Sequence, residues 1–267
     1  MQRFSFRYSI NYLPHICKFC AVLYDIIIFI AMKLSVIIPA YNEKDTLPKV
    51  IDAVSSLPLN KEILVVDDGS SDGTGEWLKK QLENKAWPEL RIALHDTNMG
   101  KGAALITGFM EAQGNFVAVQ DADLEYDPAQ LVELIHPLEE NQADAVFGSR
   151  MLAEHVETYS PLYLRGNRSI TWWINFLFKS RYTDSYTCYK LFRTSDVRKM
   201  NLQSKGFEIE AELACKAAFM GLKVMELPIK YKPRSREEGK KINYKDAIKG
   251  FIKALFLRLS LKKGTFH

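Results

Sequence analysis

Cysteine is scarce in this chain. Only four occur among 267 residues, at positions 17, 20, 188 and 215. Cys17 and Cys20 make a CxxC pair, but no second pair or histidine cluster completes a zinc site. Two cysteines in the main body exclude a disulfide framework and favour a reducing compartment. Internal repeats and low-complexity linkers are also missing, so residues 32–267 read as one folded body. No apolar run approaches the roughly 20 residues that a spanning helix needs. The nearest, Cys20 to Ala31, is short, contains Asp25 and precedes no small-residue cleavage site. Residues 1–31 are therefore set apart as an N-terminal extension, dispensable or membrane-associated, with Met32 directly before the first strand as a candidate start.

What is present is ordinary for a globular protein: 47% hydrophobic and 25% charged residues, enough chain for one large core. The net charge of +4 conceals an asymmetry. Lys223 to Lys263 holds 13 basic and 4 acidic residues, a local +9, which leaves −5 for the rest. A basic end of this kind suits phosphate groups or an anionic membrane surface, although a solvated basic helix has the same composition. Ile248, Phe251, Ile252, Leu255 and Leu259 follow helical spacing within it, with Lys245, Lys249 and Lys253 on another face. Such a helix over about 244–267 either lies in a bilayer interface or packs its apolar face on the parent domain. With no transmembrane pair after the main domain, attachment is expected to be peripheral, at the cytoplasmic face of a membrane, unless residues 1–31 insert.

From Leu34 onward, short β-branched runs alternate with helical patterns. Strands are expected at Leu34–Ile38, Glu62–Val66, Arg91–His95, Phe116–Gln120 and Ala145–Gly148, with helices between them. That order predicts an α/β fold with a Rossmann-like, mostly parallel sheet and helices on both faces. Ligands in such sheets bind beyond the carboxyl ends of the strands. The polar residues fall there: Tyr41-Asn42-Glu43, Asp67-Asp68, Asp121-Ala122-Asp123 and Ser149-Arg150. Later segments read as a helix over Arg165–Lys179, a strand over Thr187–Arg193, a helix over Glu208–Met220 and a strand over Leu222–Tyr231.

Asp121 and Asp123 flank one small residue at a strand end. Paired carboxylates in that position suit Mg²⁺ or Mn²⁺ bridging phosphate oxygens, since both ions prefer oxygen ligands. The same pair suits capping of the helix after Pro128 equally well, so the motif alone decides nothing. Its neighbours do. The runs Val36–Glu43, Val65–Thr74, Asn98–Gly102, Asp121–Leu124 and Gly148–Arg150 occur in order, followed by Thr183–Lys190, Gly206–Glu210, Arg234 and Glu238–Ile242. Across nearly all of residues 33–250 this resembles glycosyltransferase family 2, and within it the dolichol-phosphate mannose synthase and polyprenyl-phosphate glycosyltransferase group.

The resemblance implies a GT-A fold over 32–243 and transfer of mannose or glucose from GDP-mannose or UDP-glucose to a polyprenyl phosphate, with no nucleic-acid partner. It places Pro39, Tyr41, Glu43, Val66 and Asp68 beside the nucleotide, Asp121 and Asp123 on the metal, and Ala122 between them. Glu43 and Asp68 are chemically able to accept hydrogen bonds from hydroxyls or base N–H groups. Arg150 offers a fork-shaped cation to an acceptor phosphate, joined by Arg165 and Arg168 or with those two as surface charge. Arg234 and Lys240 lie in a charged loop suited to closing over the donor diphosphate. Lys101 stands either in this cleft or as a surface lysine at a helix start. For a hydroxyl acceptor, Asp184, Glu208 and Glu210 are the candidate general bases. A lipid phosphate, mostly anionic at neutral pH, needs none. The alternatives are family members acting on a glycan or cell-envelope hydroxyl, an inactive sugar-nucleotide binder, and a nucleotidyltransferase. The last is disfavoured because Pro39–Glu43 replaces the glycine-rich loop it requires.

Overall fold

The computed structural model describes residues 33–154, 161–233 and 244–261. The extension at 1–31, Arg234, Lys240 and the end of the basic tail lie outside the described residues. Among those described, seven strands form one sheet in the order β3-β2-β1-β4-β6-β5-β7. They are β1 (Leu34–Ala40), β2 (Lys61–Asp67), β3 (Leu90–Leu94), β4 (Phe116–Val119), β5 (Ala145–Ser149), β6 (Lys190–Arg193) and β7 (Val224–Pro228). All are parallel except β6, which runs antiparallel between β4 and β5. The helices are α1 (Leu47–Ser55), α2 (Thr74–Glu83), α3 (Lys101–Glu111), α4 (Leu131–Glu139), α5 (Pro161–Phe178), α6 (Thr194–Lys199), α7 (Ile209–Phe219) and α8 (Tyr244–Ser260).

Interior parallel strands are covered on both faces and read as continuous apolar runs. Val36, Ile37 and Ile38 of β1 and Ile63 to Val66 of β2 are accordingly buried. Alternate residues feed two cores. Val36, Ile38 and Val65 face α1 and α4, whereas Ile37, Leu64 and Val66 face α3 and α7. Burying one such side chain stabilises the fold by about 1.5–3 kcal/mol.

Register places the site. Ala40 pairs with Asp67, so the ends of β1 and β2 are level. Gln120, the first residue after β4, donates its N–H to the Ile37 carbonyl at 2.9 Å, which carries Asp121 out beside the end of β1. Ala118 and Val146 both lie opposite Leu191, so Ala122 and Arg150 emerge at the same height.

Helix α8 closes the molecule against α5 and α7 through Ala254 and Leu257. The spacing-based apolar face behaves differently from one packed on the parent domain: Ile248, Ile252, Leu255 and Leu259 point outward. Phe251 turns inward, where its ring lies 6.4 Å from Trp173. Lys253, expected on a polar face, reaches Glu212 at 3.4 Å with its side chain only 18% exposed.

Candidate active site

The loops after β1 and β2 are fastened together before any ligand arrives. Asn42, held at φ 53°, donates its N–H to Ser70 Oγ (2.8 Å), and its side-chain carbonyl accepts from Ser71 N–H (2.8 Å). Asp72 accepts from Lys44 N–H at 3.2 Å and from Thr74 N–H at 2.9 Å, steadying the start of α2. Pro39 and Tyr41 are half-buried at the mouth of this junction. Glu43 is buried, and its carboxylate accepts from Thr46 Oγ1 at 2.7 Å.

Asp68 is engaged within the protein. It is 2% exposed, and its carboxylate accepts from Met99 N–H (2.9 Å) and Gly100 N–H (2.7 Å) and pairs with His95 Nδ1 (2.7 Å). These contacts hold the turn that opens α3. Val66 is completely buried, in the core beneath the end of β2.

That turn presents Lys101. Gly100 adopts φ 100°, and a Cβ on it would stand 2.4 Å from the Lys205 carbonyl oxygen. On Gly102 the same atom would meet Ser204 O at 2.2 Å. Glycine on both sides lets the 204–206 backbone press against the turn and aim the lysine inward. The surface-lysine alternative is thereby corrected: the Lys101 side chain is 11% exposed, with Nζ 2.7 Å from Asp121 Oδ1 and 3.4 Å from Glu210 Oε1. Burial works against its charge, but Asp121, Cys188 and Glu210 outweigh this and hold its pKa well above the usual lysine value.

The loop after β4 is framed from below. Buried Gln120 donates to the Asp121 carbonyl at 3.1 Å, while its own side-chain oxygen accepts from Tyr189 Oη at 2.5 Å. Leu124 takes φ 62°, and Asp123 Oδ1 accepts from Glu125 N–H at 3.0 Å. Asp121 and Asp123 are both partly exposed, with Ala122 buried between them. No cluster of three or more His, Cys, Asp or Glu residues gathers among the described residues. A divalent cation fits such a pair only together with further oxygen donors. Mg²⁺ characteristically takes one or two carboxylates and completes its shell with substrate phosphates and water, and Mn²⁺ favours the same oxygen donors.

Arg150 stands across the cleft. Its Nε and Nη2 grip Asp184 at 2.7 and 3.0 Å, and Nη2 also donates to the Tyr186 carbonyl at 3.1 Å. The guanidinium lies 5.1 Å from the centre of the Tyr231 ring, which packs on Tyr126. Asp184 is fully buried and also accepts from Asn167 Nδ2 at 2.9 Å. Burial alone would raise its pKa, but Arg150 prevails and holds it below the ordinary aspartate value. This pairing, which the sequence pattern did not reveal, leaves the Nη1 end of Arg150 outside the fork. Arg165 and Arg168 are exposed on α5, on either side of Asn167 in the sequence. Tyr231 Oη donates to Glu125 at 2.7 Å and Lys232 N–H to the Glu125 carbonyl at 2.9 Å, so the chain passes the Asp123 loop just before position 234.

Comparison with known proteins identifies the family. The model of "Glycosyl transferase family 2" matches residues 35–200. An undecaprenyl-phosphate mannosyltransferase of Micrococcus luteus is 29% identical over 220 residues, covering 78% of this chain and 87% of that protein. A dolichol-phosphate mannosyltransferase of Pyrococcus furiosus is 33% identical over 216 residues, and this chain spans 59% of its length. Among solved structures, glucosyl-3-phosphoglycerate synthase from Mycobacterium tuberculosis, in complex with Mn²⁺, UDP and glucosyl-3-phosphoglycerate, superposes with a TM-score of 0.64 at 19% identity. That match covers 87% of this chain and 82% of the other, and it is a likeness of fold, the GT-A fold. With the family model covering more than half of its length, this chain belongs to glycosyl transferase family 2 and is a glycosyltransferase.

Proposed function

We propose that the protein transfers a hexose, mannose or glucose, from a nucleotide sugar to a polyprenyl phosphate. The observation that carries this reading is the state of two of the three candidate bases, Asp184 and Glu210. Asp184 is locked to Arg150, and Glu210 is paired with Lys190 at 2.7 Å and Lys101 at 3.4 Å. Neither carboxylate is placed to take a proton from a hydroxyl. A phosphate acceptor makes no such demand, because it enters already ionised. The names of the Micrococcus and Pyrococcus relatives support the same acceptor class and favour mannose.

On this reading the nucleotide lies along Pro39, Tyr41 and Glu43, with buried Val66 supporting them from the core. Asp68 contributes by fixing the Asn98–Gly102 turn. Asp121 and Asp123 would hold Mg²⁺ or Mn²⁺, which when bound would offset charge on the departing nucleoside diphosphate. The Nη1 end of Arg150, with Arg165 and Arg168, orients the acceptor, and Arg234 and Lys240 supply positive charge for the donor diphosphate. An acceptor phosphate oxygen bonds to the anomeric carbon as the bond to the nucleoside diphosphate breaks, and the sugar inverts.

The test is transfer of labelled sugar from GDP-mannose and UDP-glucose to polyprenyl phosphate with Mn²⁺, read by organic extraction. Label in the organic phase is the expected result and names the donor. A folded protein that binds nucleotide and Mn²⁺ yet yields no lipid-linked label with either donor refutes the lipid acceptor. One feature favours a second reading in that event. Glu208 Oε2 is buried without a hydrogen-bond partner among the described residues, which leaves it available as a base for a hydroxyl.

An acceptor of this kind resides in a membrane, and we place the protein peripherally at its cytoplasmic face. The free state of Cys188 and Cys215 supports a reducing compartment. No helix among the described residues is long and apolar enough to cross a bilayer. Exposed Trp172 and Phe176 of α5, stacked at 5.8 Å, join the outward row Ile252, Leu255, Phe256 and Leu259 of α8 through the Trp173–Phe251 contact. Lys249 is exposed beside them, in the basic end of the sequence, which argues for an anionic bilayer as occupant. Wild-type protein is expected to sediment with phosphatidylglycerol vesicles and to release as salt rises. Ile252→Glu with Leu259→Glu should weaken this at least about tenfold, since each buried side chain is worth about 1.5–3 kcal/mol. Unchanged sedimentation, or a concentration-dependent dimer abolished by the same changes, would refute the bilayer assignment.

A further inference from the structure

Lys101 occupies the place where a cation-binding carboxylate would otherwise present bare negative charge. Its Nζ touches Asp121 Oδ1 at 2.7 Å, Glu210 Oε1 at 3.4 Å and Cys188 Sγ at 3.0 Å, and lies 5.9 Å from the centre of the Phe207 ring. The other oxygen of Glu210 binds Lys190, itself fully buried, at 2.7 Å. Two carboxylates and two ammonium groups thus alternate as Asp121, Lys101, Glu210 and Lys190, and their formal charges cancel. The backbone fixes this arrangement. Gly100 and Gly102 lie against the 204–206 segment too closely to admit a side chain, and Ala103 N–H donates to the Lys205 carbonyl at 3.1 Å. Lys101 therefore cannot swing away by moving its helix start.

A dication arriving alone meets one neutralised carboxylate, Asp121, and one further carboxylate, Asp123. That is a poor site for Mg²⁺ or Mn²⁺, which seek several oxygen ligands and surplus negative charge. A donor diphosphate supplies both, and its own charge competes for the ammonium of Lys101. We propose that Lys101 acts as a built-in counter-ion that suppresses metal binding to the empty site, so that metal and nucleotide enter as a coupled pair. Coupling of this kind is reciprocal: whatever factor the nucleotide adds to metal affinity, the metal adds to nucleotide affinity. The benefit to a glycosyltransferase is an empty site that does not hold metal unproductively. This inference rests on the assignment of Asp121 and Asp123 as the metal pair.

The experiment measures Mn²⁺ binding by electron paramagnetic resonance, with and without GDP or UDP, in wild type, Lys101→Met, Lys101→Arg and Asp121→Asn. Wild type is expected to bind Mn²⁺ at least about tenfold more tightly with one of the nucleotides than without, a typical size for coupling between sites. Lys101→Met should tighten nucleotide-free binding by about tenfold and shrink the coupling by the same factor, because the Asp121 charge is released. Lys101→Arg, which keeps the cation, should retain wild-type coupling. Asp121→Asn gives a reading that does not depend on how Lys101→Met folds. With Asp121 already neutralised, its loss should change nucleotide-free binding by less than about twofold while sharply reducing nucleotide-dependent binding. Weaker or unchanged nucleotide-free binding in folded Lys101→Met, or its abolition in Asp121→Asn, overturns the counter-ion role. Failure of wild type to bind Mn²⁺ with either nucleotide overturns the metal assignment itself, and the inference with it.

Discussion

Asp184→Ala is expected to destabilise the protein by about 3–5 kcal/mol, the cost of leaving one member of a buried ion pair unpaired. The affected groups are specific. Arg150 loses both arms of its fork, and the Asn167 amide loses its acceptor. For a chain of this size, about 2–4 °C per kcal/mol translates this into a melting temperature lower by roughly 10 °C. Asp184→Asn preserves shape and should cost less. Replacing both partners, as Arg150→Met with Asp184→Leu, should recover much of the stability, because the desolvation of two charges is removed together. It should not recover transfer if Arg150 orients the acceptor. Equal recovery of stability and activity would reduce the pair to a structural strut.

The same pair sets a pH dependence. The folded-state pKa of Asp184 lies below its unfolded value of about 3.9, because Arg150 outweighs the effect of burial. A depressed carboxylate contributes its stability fully above the unfolded pKa and loses it as pH falls through the folded one. Glu212, lowered chiefly by Lys216 and Ser204 against the opposing effect of burial, adds in the same direction. Acid unfolding below about pH 4 should therefore be shallower in Asp184→Asn than in wild type.

How much of this was legible in the sequence depended on the range of the interaction. Strands β1 and β2 were plain because fully covered parallel strands leave unbroken runs such as Val36-Ile37-Ile38, and the polar residues just beyond them marked the cleft. Strand β6 was expected from Thr187 but begins at Lys190. Antiparallel pairing with both β4 and β5 defines it, and no local pattern encodes that. The short helix α6 went unseen, since six residues cannot establish a helical period. Arg150 was identified from its strand end, yet its partner lies 34 residues away in sequence and was expected to act as a base. Lys101 left two readings open because its burial comes from a backbone segment around Lys205. The apolar row on α8 was visible, but only packing could show that it faces away from the core.

Asp123→Asn is expected to lower transfer by about 10²–10³-fold, the range seen when one charge-stabilising group is removed from a site. The fold should survive, because Asp123 is partly exposed and asparagine can still accept from Glu125 N–H at the same oxygen. What changes is the charge offered to a cation. The discriminating measurement is therefore a titration of activity against Mn²⁺ rather than activity at one concentration. If Asp123 is a ligand, the half-saturating Mn²⁺ should rise by at least about 10–100-fold, the loss that even groups supporting a ligand produce. Asp123→Glu, which keeps the charge on a longer arm, should recover part of the affinity. Removal of metal by chelation should bring wild type down towards the level of the variant. A fall in turnover with the Mn²⁺ requirement unchanged would assign Asp123 to the sugar or the diphosphate directly. The metal would then rest on Asp121, and the alternation of charge through Lys101 would govern the whole of its affinity.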